Sequence, residues 1–227
     1  KDISLGNSWK ADVIIDKSYP ENEKLENYRD FALYFQDEDN IIGTSFMPYL
    51  QNVAGLTGVN YRLEPWLYRE DEGCELGNMF TACVAAGADP ATPTLKAHAG
   101  DRVMINIFGA HNEQNQMFNL DGHQWRRHMD QEGSDMIDVE QFGAGEYIQA
   151  FFNAGGTYKN PGTYLWLNAR TPYQQAGQWG YFKVLPSGDR SILPLGKATT
   201  KGVKTASQPM EEEKAGSMVK DDRLSML

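Results

Sequence analysis

The chain has 227 residues, 41 % of them hydrophobic, which is enough for one large domain with a real core. Its 21 Lys and Arg against 31 Asp and Glu give a formal charge of −10, a surface that repels phosphate backbones and excludes nucleic acid as an expected partner. Mean hydropathy is −0.56 and no run of about 18 apolar residues occurs, so no membrane-spanning helix is expected.

The sequence starts at Lys1, and the residues that follow lack the basic and apolar regions of a signal peptide, which points to a removed leader or to a fragment. Scattered Gly (22) and Pro (10) with 11 % aromatics favour many short strands over long helices. Phe31-Ala32-Leu33-Tyr34-Phe35 alternates large and small side chains ahead of Gln36-Asp37-Glu38-Asp39-Asn40, a pattern expected for a strand running into a solvent-exposed acidic turn. Calcium is not expected there, because no glycine-turn loop with a closing Glu follows. Cys74 and Cys83 flank a short segment and would close a small loop in an oxidising compartment; with no histidine pair nearby they make no zinc site. Residues 78–87, with an Asn cap and a Gly stop, are expected to form a short helix.

Further on, Ala99-Gly100-Asp101 is a turn signal, after which Val103, Ile105 and Ile107 share one strand face and Met104 and Asn106 the other. Residues 147–153, 163–168 and 181–185 are aromatic or β-branched runs bounded by glycine and proline, regular punctuation that points to a β-sandwich or barrel. From Ser187 the aromatics vanish. Residues 187–227 carry seven Lys or Arg against six Asp or Glu, a net of +1 that leaves about −11 on residues 1–186. Such a tail builds no core of its own: it is a flexible end, or an arm that orders against a neighbouring subunit.

Residues 94–184 carry a set of motifs in a telling order. Ala99-Gly100-Asp101-Arg102-Val103 is followed by Phe118-Asn119-Leu120-Asp121-Gly122-His123-Gln124-Trp125, then Pro161-Gly162-Thr163-Tyr164-Leu165-Trp166 and Gly177-Gln178-Trp179-Gly180-Tyr181-Phe182-Lys183-Val184. The run resembles the cupredoxin domains of multicopper oxidases, above all the large bacterial enzymes related to manganese oxidases, and Gly58-Val59-Asn60-Tyr61-Arg62-Leu63-Glu64-Pro65 resembles a linker segment of the same group. The resemblance implies an all-β, cupredoxin-like Greek-key β-sandwich over 91–186. An N-terminal extension (1–90) adds strands to it in part, and a polar C-terminal arm (187–227) follows.

The same resemblance locates the copper positions, and there this sequence departs from the family. A type 1 copper takes a thiolate, two imidazoles and a weak axial thioether. Asn168 stands where the cysteine is expected, Tyr173 where the loop histidine is, and Gln178 in the axial place. At the positions expected to serve the trinuclear cluster stand Leu167, Ala169, Gln116, Asn119 and Asp121. His123 survives at a position the family does not use for copper.

Four histidines are present. His98 is expected in a strand and His111 in a loop. His123 and His128, with Asp121, are weak candidates for another metal, and a core histidine hydrogen-bonded inside the barrel is the favoured reading of His123. Met104, Met117, Met129 and Met136 are too widely spaced for a thioether cluster and are expected to fill core or surface. Gly-x-Ser-x-Gly and glycine-rich phosphate loops are absent. No catalytic residue and no cofactor are therefore expected, copper entering only if the ligand comparison fails.

Three readings of function follow. The first is a copper-free structural or binding subunit of an extracytoplasmic, redox-related assembly, contacting other protein subunits or a second copy of itself, with the C-terminal arm as a candidate contact. The second is a non-catalytic domain of an oxidase complex whose copper sites lie in other chains. The third is a small-molecule binding module using Trp125, Trp166, Tyr173 and Trp179 around the vacated copper pocket.

Overall fold

Runs of alternating apolar residues pair into two sheets whose inner faces share one core. The computed structural model describes residues 9–37, 57–71, 73–81, 89–112 and 114–196. Its strands are β1 (Lys10–Val13), β2 (Tyr28–Asp37), β3 (Gly58–Val59), β4 (Leu95–His98), β5 (Arg102–Asn112), β6 (Gln116–Leu120), β7 (Trp125–Arg126), β8 (Met136–Ile137), β9 (Val139–Phe142), β10 (Tyr147–Asn153), β11 (Gly162–Asn168) and β12 (Trp179–Leu185). Short helices α1 (Trp66–Asp71) and α2 (Thr171–Gln175) interrupt them.

One sheet runs β1-β2-β5-β10, with β3 also paired to β2; the other runs β4-β12-β11-β6-β9, and β7 pairs with β8 in a separate two-stranded sheet. Five of the nine strand pairings among the described residues join strands that are not consecutive in sequence, as a Greek-key sandwich requires. Strands from the first 90 residues belong to the first sheet, where β2 lies parallel to β5 from Arg29↔Val103 to Asp37↔Asn112. Odd-numbered residues of β2 and β5 face inward, so Phe31, Leu33, Phe35, Val103, Ile105 and Ile107 meet Leu95, Phe118, Leu120, Trp166 and Phe182 of the facing sheet. Phe35 is the pivot, packing edge-on against Phe118, Phe142 and Trp166. Gly180 lies opposite Trp166 across β11 and β12, and the indole fills the space where a Cβ would stand, at 2.4 Å. Only glycine fits there.

Arg29, buried at 5 % exposure on the inward face of β2, ties distant segments together. It donates to Asp101 (2.6 Å), Asp12 (2.9 Å) and the carbonyl of Leu193 (2.7 Å), and its Nη2 lies 3.2 Å from Nδ1 of His98. His98, in β4 as expected, places Nε2 2.9 Å from the carbonyl of Asp189. Residues 187–196, expected as the beginning of a polar tail, are thereby fastened to the sandwich. Burial of a guanidinium is tolerable only with such a complement of acceptors.

Some expectations need correction. The strand does not stop at Phe35: it continues through Gln36 and Asp37, both buried, and only residues 38–40 of the expected acidic turn remain, outside the described residues. The reason is pairing, since β5 runs on to Asn112 and holds Asp37 in the ladder, where the odd-numbered alternation turns it inward. His111, expected in a loop, has its backbone in β5 opposite Gln36. The expected helix over 78–87 shows a 3-10 turn, Leu76–Asn78, at its start, and residues 82–88 lie outside the described residues. Cys74 is buried and disulfide-bonded; Cys83, the other cysteine of the sequence, also lies outside them. Among the described residues no helix is long and apolar enough to cross a membrane.

Candidate functional site

Strand alternation sorts the eight positions compared with copper ligands onto opposite faces. Along β6, Gln116, Phe118 and Leu120 are buried and point into the sandwich, while Asn119 lies on the outer face and Asp121, just past the strand, is exposed. Along β11 the same holds for Trp166 and Asn168 against Leu167, with Ala169 exposed beyond it. Leu167 pairs directly with Asn119 across the two strands. Asn119, Asp121, Leu167 and Ala169 therefore share the outer side of the second sheet, and Gln116 does not belong with them. It joins Asn168, Tyr173 and Gln178 inside, so the grouping of Gln116 with the trinuclear positions is corrected by the two-residue period.

The inner group is a closed polar cluster. The Asn168 side-chain amide donates to Gln116 Oε1 and, at 2.7 Å, to Gln178 Oε1. Its carbonyl oxygen accepts from the backbone N–H of Arg170 (3.0 Å) and of Met117 (3.3 Å). Gln178 donates to the carbonyl of Gln36 at 2.9 Å, and Gln116 to Asp37 and, at 3.1 Å, to the carbonyl of Gln114. Asn168, Gln178, Gln116 and Asp37 are each 0 % exposed. Polar groups this deep persist because each amide finds partners.

Local structure positions them. Pro172 at the start of α2 favours the turn that carries Tyr173 under the cluster, and Gly177, with φ +113, reverses the chain so that Gln178 returns inward. The backbone of Glu64 and Pro65 packs so closely on Gly177 that a Cβ would lie 2.5 Å from the Glu64 nitrogen, and Trp179 donates to the Glu64 carbonyl at 2.8 Å. The 58–65 segment thus covers the loop. Arg170 seals the other side, donating to Gln114 Oε1 (2.6 Å) and the Asn115 carbonyl (2.7 Å), with its guanidinium 5.0 Å from the Tyr173 ring centre. Burial first, and then the neighbouring Asp37 carboxylate, push the Tyr173 phenol well above the ordinary tyrosine range. Its hydroxyl is buried without a well-formed hydrogen bond.

These residues do not fit a type 1 copper. The cluster offers carboxamides, one carboxylate and a phenol where soft, electron-rich thiolate and imidazole are required. The carboxamide oxygens of Gln116, Gln178 and Asn168 already accept hydrogen bonds. The outer positions Leu167 and Ala169 have no side-chain lone pair.

His123 is buried with both nitrogens engaged: Nε2 accepts from the Gly155 N–H at 2.9 Å, so Nδ1 carries the proton and donates to the Asp121 carbonyl at 2.9 Å. Its ring packs against Phe152, Tyr164 and Phe182. Burial, partly offset by the Asp121 carbonyl, holds its pKa below the ordinary value. His128 lies on an exposed loop, and among the described residues no three His, Cys, Asp or Glu side chains gather as a metal-sized group. The aromatics invoked for a small ligand are spent on packing. Trp125 lies against Phe118, Trp166 donates to the Pro93 carbonyl at 3.0 Å, and Trp179 is sandwiched by Phe80 and Arg69.

Fold and site together define a cupredoxin-type sandwich. The family model described as multicopper oxidase matches residues 76–189, and the chain belongs to that family. Among solved structures it is similar to a copper nitrite reductase from Nitrosomonas europaea, at 11 % identity over 70 % of this chain and 50 % of that one, TM-score 0.46. It is also similar to a multicopper oxidase from Campylobacter jejuni, titled a metallo-oxidase (10 %, 70 % and 31 %, TM-score 0.45). A third is a multicopper oxidase from the hyperthermophile Aquifex aeolicus (12 %, 69 % and 29 %, TM-score 0.42). The chain spans half or less of the length of each of these structures. A comparison with curated proteins finds no match.

Proposed function

We propose that this chain is a copper-free cupredoxin domain, acting as a structural or binding subunit of an extracytoplasmic assembly related to multicopper oxidases. The observation that carries the reading is the buried amide cluster of Gln116, Asn168 and Gln178. It fills the interior where the family holds a type 1 copper with groups that hydrogen-bond one another and grip a soft ion poorly. The Cys74 disulfide supports an oxidising compartment. In this reading the chain has no catalytic residue of its own, and its loops and outer sheet faces make protein contacts.

A second reading rests on the family: a member of a copper-oxidase family with amides at the ligand positions suits a non-catalytic domain of an oxidase complex whose copper sites lie in other chains. Elemental analysis of the purified chain and of the complex recovered from its native source separates the two. Copper in neither supports the structural subunit, copper in the complex alone supports the second reading, and stoichiometric copper in the chain itself overturns both.

A further inference from the structure

On the side of the sandwich away from the amide cluster, an open cavity of about 730 Å³ lies between residues 122–138 and the 151–157 segment. Gly122 and Gly156, both left-handed (φ +67 and +65), are among its lining residues, and a Cβ on Gly156 would stand 3.4 Å from the Gly122 carbonyl oxygen. Phe151, Met129 and Met136 supply apolar wall.

Two arginines line the same cavity in a chain of net charge −10, and among the described residues Asp138 is the one carboxylate lining it. Arg102 is held rigidly: Nη1 donates to Asn153 Oδ1 at 2.9 Å, Nε lies 3.3 Å from Glu26, and the guanidinium sits 4.2 Å from the Phe151 ring centre. Among the described residues its Nη2 makes no hydrogen bond, and the exposed Arg126 side chain makes neither hydrogen bond nor ion pair. A fixed guanidinium and a free one beside an apolar wall match a carboxylate joined to an apolar body, since the planar fork takes both carboxylate oxygens and the rings and thioethers take the rest.

We propose that this cavity is a binding site for small organic carboxylates, independent of the copper reading. The test titrates the 15N-labelled chain with 3-phenylpropionate, using 3-phenylpropan-1-ol and inorganic phosphate as comparison probes. The expected result is saturable shifts at Gly122, Gly156 and Thr157 with phenylpropionate. Binding should weaken about tenfold or more with the alcohol, with phosphate and in Arg126→Gln, the size of one charge-assisted contact. Arg126 is exposed, so Arg126→Gln should keep the wild-type melting temperature, which makes a loss of binding readable. Absence of saturable shifts, equal binding of the alcohol, equal binding of phosphate, or an unaffected Arg126→Gln would each overturn the assignment.

Discussion

Truncating Asn168 to alanine probes the amide cluster at its centre. The side chain is 0 % exposed and makes four hydrogen bonds, two as donor to Gln116 and Gln178 and two as acceptor from the Met117 and Arg170 backbone. Without it the two glutamine oxygens are stranded in the core, each at about 1–3 kcal/mol, whereas the half-buried backbone N–H groups of Met117 and Arg170 recover part of their loss from water. The expected destabilisation is about 4 kcal/mol, or roughly 8–16 °C in melting temperature for a domain of this size. Asn119→Ala is the matched control, because Asn119 lies on the outer face with a single bond, at 3.0 Å, to the Asp138 carbonyl, and should lose less than about 1 kcal/mol. Urea unfolding followed by circular dichroism reads both. Losses within about 1 kcal/mol of each other would refute the argument that the cluster braces the core.

Arg29→Met should cost about 3 kcal/mol, chiefly because Asp101, 15 % exposed, loses its guanidinium and keeps the His98 N–H, while the more exposed Asp12 contributes little. Hydrogen exchange should show residues 189–193 losing protection; unchanged protection there would contradict the latch. Because burial depresses the His123 pKa below 6.5, the unfolded chain binds a proton that the folded chain refuses. Stability should therefore be full above about pH 6.5 and decline as pH falls below it, and a histidine NMR titration showing His123 with a midpoint at or above 6.5 would contradict this. Installing the family's ligand types at the four inner positions, Gln116→His, Asn168→Cys, Tyr173→His and Gln178→Met together, should give a chain that turns blue with Cu(II). A folded but colourless variant would show that the four positions do not converge as described.

Much of the sandwich was legible in the sequence, because the inward set Val103, Ile105 and Ile107 and the glycine-punctuated runs that became β10, β11 and β12 are local signals. Gln116 was misplaced although the signal was there: it shares its parity with Phe118 and Leu120, not with Asn119 and Asp121, and that parity alone separates the inner from the outer group. Asp37 was misread because acidic composition spoke for a turn, whereas pairing with Asn112, 75 residues away in sequence, keeps it in the strand. The Arg29 latch left no trace of its own. Its partners Asp101 and Leu193 are brought up by the fold across separations of 72 and 164 residues, which no periodicity encodes.

Equilibrium dialysis of the isolated chain against Cu(II), and against Cu(I) under reducing conditions that spare the disulfide, bears most directly on the claim that its interior no longer grips the ion. The account expects substoichiometric metal after exchange into metal-free buffer and no intense thiolate-to-copper absorption. One tightly held copper per chain, lost in Asn168→Ala, would contradict it.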